Sequence, residues 1–270
     1  MKPPVWIENM RVRVTSPLLY MGRAGLARMT DLLFPPQCPI SGAPLLRQGT
    51  LSPEAWARFH HLTAPWCEGC GSPFDDPSKG PLCASCAAPK GFAGRLTGSR
   101  KLDKLRSSLV YDESCGPPIL ALKYGDRHDG VAAFGAMMGK TARELLPEVG
   151  QALLVPVPLH SSRLRKRRYN QAGLLADAVG RELGLEVDHL SLRRIRPTPS
   201  QKGASAGQRA RNVAGAFRVA DGPRIRNTHI ILVDDVLTTG ATLIACARSL
   251  RKAGALSVSG LTLARVMREA

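Results

Sequence analysis

The chain has 270 residues, 44% of them hydrophobic and only 5% aromatic, with 38 Lys and Arg against 21 Asp and Glu for a net charge of +17. That length accommodates one large domain or a medium domain beside a small one, and so few aromatic residues argue against a surface built to stack on many bases. The cationic excess favours phosphates, nucleic acid or an anionic surface as partners, although an arginine-rich proteome produces the same balance. No run approaches the ~18 apolar residues of a membrane-spanning helix. The N-terminus also lacks an apolar core followed by a small-residue cleavage site, so the cytoplasm is the expected compartment.

Residues 1–37 read as a basic tail and a docking helix. Leu18, Leu19, Met21, Leu26, Met29, Leu32 and Leu33 fall at helical spacing, and Pro35-Pro36 ends the run. Residues 38–90 are rich in Cys, Pro and Gly. Cys67-x-x-Cys70 and Cys83-x-x-Cys86 have the spacing of a zinc ribbon. Four thiolates close a tetrahedral Zn²⁺ site with no open position, so the metal is expected to be structural. A segment this small has too little core to fold without it. Cys38 stands apart: its partner position is Ser41, and no cysteine lies around residues 51–56. It reads as a packed or free thiol, with His60 and His61 as surface residues.

Residues 91–106 form a basic, glycine-bearing linker, and residues 107–270 read as an α/β domain. Strands are expected at 108–111, 151–155, 187–194, 216–219, 230–233 and 256–263, and helices at 116–124, 131–146, 169–183 and 242–251. Gly184 stops the third helix. Residues 196–214, with Pro197, Pro199, Gly203 and Gly207, read as a long mobile loop. Strands alternating with helices predict a parallel sheet.

One stretch carries the chemistry. Residues 230–242 read Ile-Ile-Leu-Val-Asp-Asp-Val-Leu-Thr-Thr-Gly-Ala-Thr: a buried strand, an acidic pair, and a turn rich in threonine at a helix start. Ligands of open parallel sheets sit beyond the carboxyl ends of the strands. There, Thr238, Thr239, Gly240, Ala241 and Thr242 can cradle a phosphate with backbone N–H and hydroxyl donors. Asp234 and Asp235, as acceptors, suit a polyol such as ribose or a hydrated Mg²⁺. A second loop, Pro156, Val157, Pro158 and Leu159, also follows a strand. The cationic run after it, with Arg163 and Arg167 foremost, can hold a pyrophosphate. Gln201, Lys202, Arg209 and Arg211 are lid candidates in the long loop. His160 is a general-base candidate by proximity in sequence only.

This stretch resembles the 5-phosphoribosyl-1-pyrophosphate (PRPP) signature of type I phosphoribosyltransferases. The four-cysteine ribbon, Leu122-Lys123-Tyr124, the Pro156 to Leu159 loop, Arg167 with Tyr169-Asn170-Gln171, Gln201 with residues 209–213, and residues 234–242 follow one another as in the ComF (competence protein F-like) family. The resemblance spans roughly residues 30–266. It implies a parallel-sheet, Rossmann-like type I phosphoribosyltransferase domain behind a small zinc-ribbon domain, and a link to DNA uptake. By the same resemblance Asp234 and Asp235 contact ribose hydroxyls, residues 238–242 take the 5′-phosphate, and the Pro156 to Leu159 loop takes pyrophosphate with Mg²⁺. Two departures stand out. Many members carry two zinc sites, and here the first is reduced to Cys38; glycine is usual where Arg168 stands. With few residues after the last expected strand, cover for the site is expected from residues 99–150 or the ribbon. Two readings follow. One is a PRPP-binding protein of pentosyl transfer with an unread acceptor. The other is an accessory that grips single-stranded DNA, works with other DNA-uptake proteins, and uses PRPP only as a signal.

Overall fold

The structure, a computed structural model, describes residues 35–74, 80–87, 102–124, 128–148, 151–198 and 206–267. The expected docking helix, and Gln201 and Lys202 of the lid, lie outside these residues. Four strands form one parallel sheet in the order β1 (Leu105–Val110), β6 (Ser257–Arg265), β5 (His229–Leu237), β2 (Ala152–Pro156). β5 is apolar on both faces from Ile230 to Val233 because helices cover both. Ile231 and Val233 point into a core shared with α4 (Val131–Ala142) and α6 (Gln171–Leu183). Ile230 and Leu232 point the other way, onto Leu243, Ala247 and Leu250 of α9 (Ala241–Lys252). The parallel α/β sheet expected from the alternation of elements is therefore present.

Several elements differ from expectation. β5 continues through the acidic pair to Leu237, held beyond the end of β2 by pairing with β6 through Asp234↔Thr262 and Val236↔Ala264. β3 (Leu192–Arg194) and β4 (Phe217–Val219) do not join the sheet. They pair antiparallel as a separate ribbon, so only three residues of the expected strand over 187–194 are regular. Much of the expected mobile loop is ordered: Ala206–Val213 is a helix, α7. Two further short helices of this domain were not foreseen, α5 (Ser161–Arg167) after the Pro156 to Leu159 loop and α8 (Gly222–Ile225) before β5. Neither has the long apolar stripe that sequence periodicity detects.

The cysteine-rich region forms two small lobes against the sheet's β1 edge. The first contains α1 (Pro53–Ala57); a backbone bridge between His61 and Leu109 joins it to β1. The second contains α2 (Ala84–Ala87), and Leu105 donates its N–H to Gly69 O (2.8 Å). The remaining helix, α3 (Gly116–Tyr124), follows β1 and ends beside the carboxyl edge of the sheet.

Candidate ligand-binding cleft and four-cysteine cluster

Because β5 outruns β2, its last residues are open on one side. An open cleft of about 830 Å³ lies there, lined by Asp234, Asp235 and residues 236–243, by Val157 and Leu159, and by Lys123, Arg163, Lys166, Arg167, Arg168 and Arg194. The two carboxylates are neighbours on a strand, so they project to opposite faces, yet both border the cleft. Asp235 is buried on the α6 side. It accepts from Gln171 Nε2 (3.1 Å) and pairs with Lys123 Nζ (3.1 Å) at the end of α3. Asp234 lies on the α9 side. Burial and the neighbouring Asp235 charge push its carboxyl up to about 7, against the opposing influence of Lys123 and Arg194.

Thr238, Thr239, Gly240, Ala241 and Thr242 wrap the start of α9. Gly240 has φ 69°, a left-handed conformation that suits glycine, and it turns the chain so that the first N–H groups of a 12-residue helix face the cleft. Thr239 Oγ1 accepts from Ala241 N (3.4 Å), fixing the turn.

Of the second loop, Val157 and Leu159 line the cleft. Pro156 ends β2 and Pro158 is half-buried, and neither is among the lining residues. Asn170 Nδ2 donates to Val157 O (3.0 Å), tying the loop to the start of α6. α5 brings Arg163, Lys166 and Arg167 to the cleft, while Arg165 lies outside its lining. Arg163 Nη2 is anchored on Thr198 O (2.8 Å), while Arg167 lies 4.8 Å over the exposed Tyr124 ring and donates to its hydroxyl (3.0 Å). Arg168 caps the helix at φ 66°, where glycine would be unstrained. His160 is the N-cap of α5, its ring bonded to Ser162, and does not line the cleft. Arg211 lies on α7, which packs against α9, and is also not among the lining residues; the side chain of Arg209 lies outside the description.

Sequence reasoning missed three groups: Lys123, Gln171 and Arg194. Lys123 and Gln171 stood in the family-like runs Leu122-Lys123-Tyr124 and Tyr169-Asn170-Gln171, the only available signal. Arg194 is delivered from the β3–β4 ribbon over the Phe217 ring (5.3 Å), and nothing local in sequence marks it.

The other candidate is the cysteine cluster. The ligand sulfurs of Cys67, Cys70, Cys83 and Cys86 all lie within 4.8 Å of one another, and Cys70 Sγ to Cys83 Sγ is 3.7 Å. Tetrahedral Zn–S bonds of about 2.3 Å imply sulfurs about 3.8 Å apart, so the set fits zinc. The hydrogen bond from Cys86, with those from Ser72, holds Cys70 down to about 4, while burial pushes Cys83 up and the hydrogen bond with Cys70 pushes Cys86 up; a bound cation favours all four as thiolates. A tetrathiolate zinc centre carries net negative charge. Two buried arginines meet this lobe: Arg106 Nη1 donates to Glu68 O (3.0 Å) and Arg265 Nη1 to Cys70 O (2.7 Å).

Comparison with known proteins agrees with both halves. Residues 29–87 match a double zinc ribbon domain, and residues 170–270 a phosphoribosyl transferase domain. The chain is 32% identical over 195 residues to the DNA utilization protein YhgH of Salmonella typhi, covering 69% of this chain and 85% of that one. The chain belongs to the ComF family. Competence protein F of Haemophilus influenzae is 36% identical over 127 residues, covering 47% of this chain and 54% of that protein. Competence protein ComFC of Bacillus subtilis is 29% identical over 210 residues, covering 77% and 81%. No helix among the described residues is long and apolar enough to cross a membrane.

Proposed function

We propose that this ComF-family chain binds Mg·PRPP in the cleft at the end of β5 and serves DNA uptake as a phosphoribosyltransferase-type protein. One observation carries the reading: an acidic pair, a helix N-terminus and a cationic helix converge on a single cleft of about 830 Å³. The 5′-phosphate is assigned to residues 238–242, where N–H and hydroxyl donors gather without a formal cation. Ribose hydroxyls are assigned to Asp234 and Asp235. Pyrophosphate is assigned to the Val157 to Leu159 loop with Arg163 and Arg167, whose guanidinium forks match its oxygens. Among the described residues, buried Gln171 Oε1 and Asn170 Oδ1 have no hydrogen-bond partner, and they supply further acceptors at this wall. The carboxylate set offers the hard oxygen donors that suit Mg²⁺; when bound with PRPP, Mg²⁺ neutralises charge on the pyrophosphate. Fixing the sugar at both ends holds C1 open to an acceptor in line with the departing group, and Lys123 balances Asp235 until the ligand arrives. Isothermal titration with Mg·PRPP tests the reading. Wild type is expected to bind, and Asp234→Asn with Asp235→Asn to give no heat. Absence of heat from wild type at millimolar PRPP overturns it.

A second reading, single-stranded DNA binding, is favoured by the exposed Tyr124 ring under Arg167 at the rim, with exposed Arg165 and Lys166 beside it. An aromatic face paired with cations suits a base and its backbone. The two readings are compatible.

A further inference from the structure

The double zinc ribbon match implies two metals, and the structure holds two lobes of one plan. Pro36-Gln37-Cys38-Pro39-Ile40-Ser41-Gly42-Ala43-Pro44 aligns with Pro65-Trp66-Cys67-Glu68-Gly69-Cys70-Gly71-Ser72-Pro73. Their backbones repeat bond for bond. Cys38 N donates to Ala43 O (2.7 Å) as Cys67 N does to Ser72 O (2.8 Å). Gly42 N donates to Cys38 O (2.8 Å) as Gly71 N does to Cys67 O (2.9 Å). Leu45 N donates to Pro36 O (2.8 Å) as Phe74 N does to Pro65 O (2.9 Å). Bridges join Gln37 to Pro44 and Trp66 to Pro73, and Gly42 and Gly71 share left-handed φ angles of 73° and 67°. The second halves also correspond: Leu51-Ser52 leads into α1 as Leu82-Cys83 leads into α2, which sets Ala55 against Cys86.

We infer that residues 36–57 are a metal-free copy of the zinc lobe, in which Cys38, Ser41, Ser52 and Ala55 occupy the four ligand positions and hydrogen bonding has replaced the ion. One thiol, two alcohols and a methyl group do not make a zinc site, since neutral hydroxyls are poor partners for it and alanine offers no donor. The replacement bonds are visible. Ser41 Oγ lies 3.1 Å from Ser52 Oγ, Ser52 Oγ accepts from Ala55 N (3.2 Å), and Ser41 N donates to Cys38 Sγ (3.5 Å). Cys38, Ser52 and Ala55 are all buried, and Ser41 closes the group from its exposed side. His60 and His61 do not complete a site: His60 pairs with Asp112, and His61 bonds Trp56 O (3.1 Å) and stacks on its ring.

The packing explains why one lobe tolerates the loss. Ile40 and Leu51 of the metal-free lobe pack on the main core, Phe59 meets Phe134 with ring centroids 6.4 Å apart, and Leu62 N and Val110 N bond across to Ser108 O and His60 O (both 2.9 Å). Among the described residues, the zinc lobe's own apolar cluster contains, besides its four cysteines, only Phe74. Tertiary burial anchors the first lobe and the metal anchors the second.

The metal content of the purified full-length chain, by inductively coupled plasma mass spectrometry, tests this. Wild type is expected to carry one zinc per chain, Cys38→Ser still one, and Cys67→Ser none. Ser41→Cys with Ser52→Cys and Ala55→Cys is expected to restore a second ion, raising the ratio to two. Two ions in wild type, loss of zinc from Cys38→Ser, or a soluble triple variant that stays at one overturns the inference. Should the triple variant fail to fold, hydrogen exchange of wild type with and without chelator decides. Chelation is expected to deprotect residues 65–74 and leave 36–45 protected; loss of protection in both overturns it.

Discussion

Half-buried beside a second carboxylate, Asp234 holds its proton to about pH 7, where a free aspartate has long since released it. The consequence for stability has a definite sign. From roughly pH 4, the ordinary aspartate range, to about 7, the folded chain holds a proton that the unfolded chain has lost. This contribution to stability is therefore fully present below pH 4, declines as pH rises through that window, and is gone above it. Ribose hydroxyls donate to an ionised carboxylate, so binding should expel the proton. The affinity of wild type for Mg·PRPP is expected to rise between pH 5.5 and 6.5 more steeply than that of Asp234→Asn, by up to about tenfold per pH unit. The titration of PRPP itself is common to both proteins and cancels. Calorimetry in two buffers of different ionisation enthalpy measures the released proton directly, and equal slopes for the two proteins would remove Asp234 as the titrating group. At this scale the sequence was informative where function is local. The run 234–242 brings its acids and its turn to the cleft together because they are consecutive. Lys123 and Arg194 arrive from elements far away in sequence, and no spacing rule could assign them.

Elements were legible in proportion to their burial. β5, α6 and α9 carry long apolar patterns and appear near their expected places; α5 has no buried residue, so its sequence had no periodicity to show. The helix pair α4 and α6 matters most to the cleft, because α6 begins at Gln171, the residue that grips Asp235. Their close approach depends on small residues. A Cβ at Gly135 would stand 2.3 Å from Ala178 Cβ, and one at Gly139 2.6 Å from Glu182 Cγ. Neither α4 nor α6 can back away without lifting off the sheet. Gly135→Ala is therefore expected to destabilise the chain by about 1–3 kcal/mol despite alanine's better helix propensity. The midpoint of urea denaturation measures it. A parallel loss of PRPP affinity is expected through displaced Gln171, and an unchanged midpoint would show that the helix pair is looser than this geometry allows.

On the scale of the whole molecule, the +17 charge is not spread evenly. Residues 151–220 hold 13 Lys and Arg against 4 Asp and Glu, a surplus of 13 − 4 = +9. Among the described residues six cationic side chains line the cleft against the two aspartates. A polyphosphate inside the cleft and a nucleic-acid backbone along its rim draw on the same field, and salt separates them. A single strand bridging six phosphates should lose about 300-fold in affinity between 50 and 200 mM salt. PRPP engages fewer charges and leans on fixed N–H donors and carboxylates, so it should lose far less. The acidic pair separates them a second time. Asp234→Asn with Asp235→Asn removes the proposed sugar contacts but also removes negative charge from a cationic cleft. The double variant is expected to lose Mg·PRPP binding while keeping or strengthening its hold on an oligonucleotide. Fluorescence anisotropy of a labelled single strand, across the salt series and with both proteins, reads the two effects together. Oligonucleotide binding that is flat in salt, or that disappears with the aspartates, would mean that the rim is not a backbone-binding surface separate from the cleft.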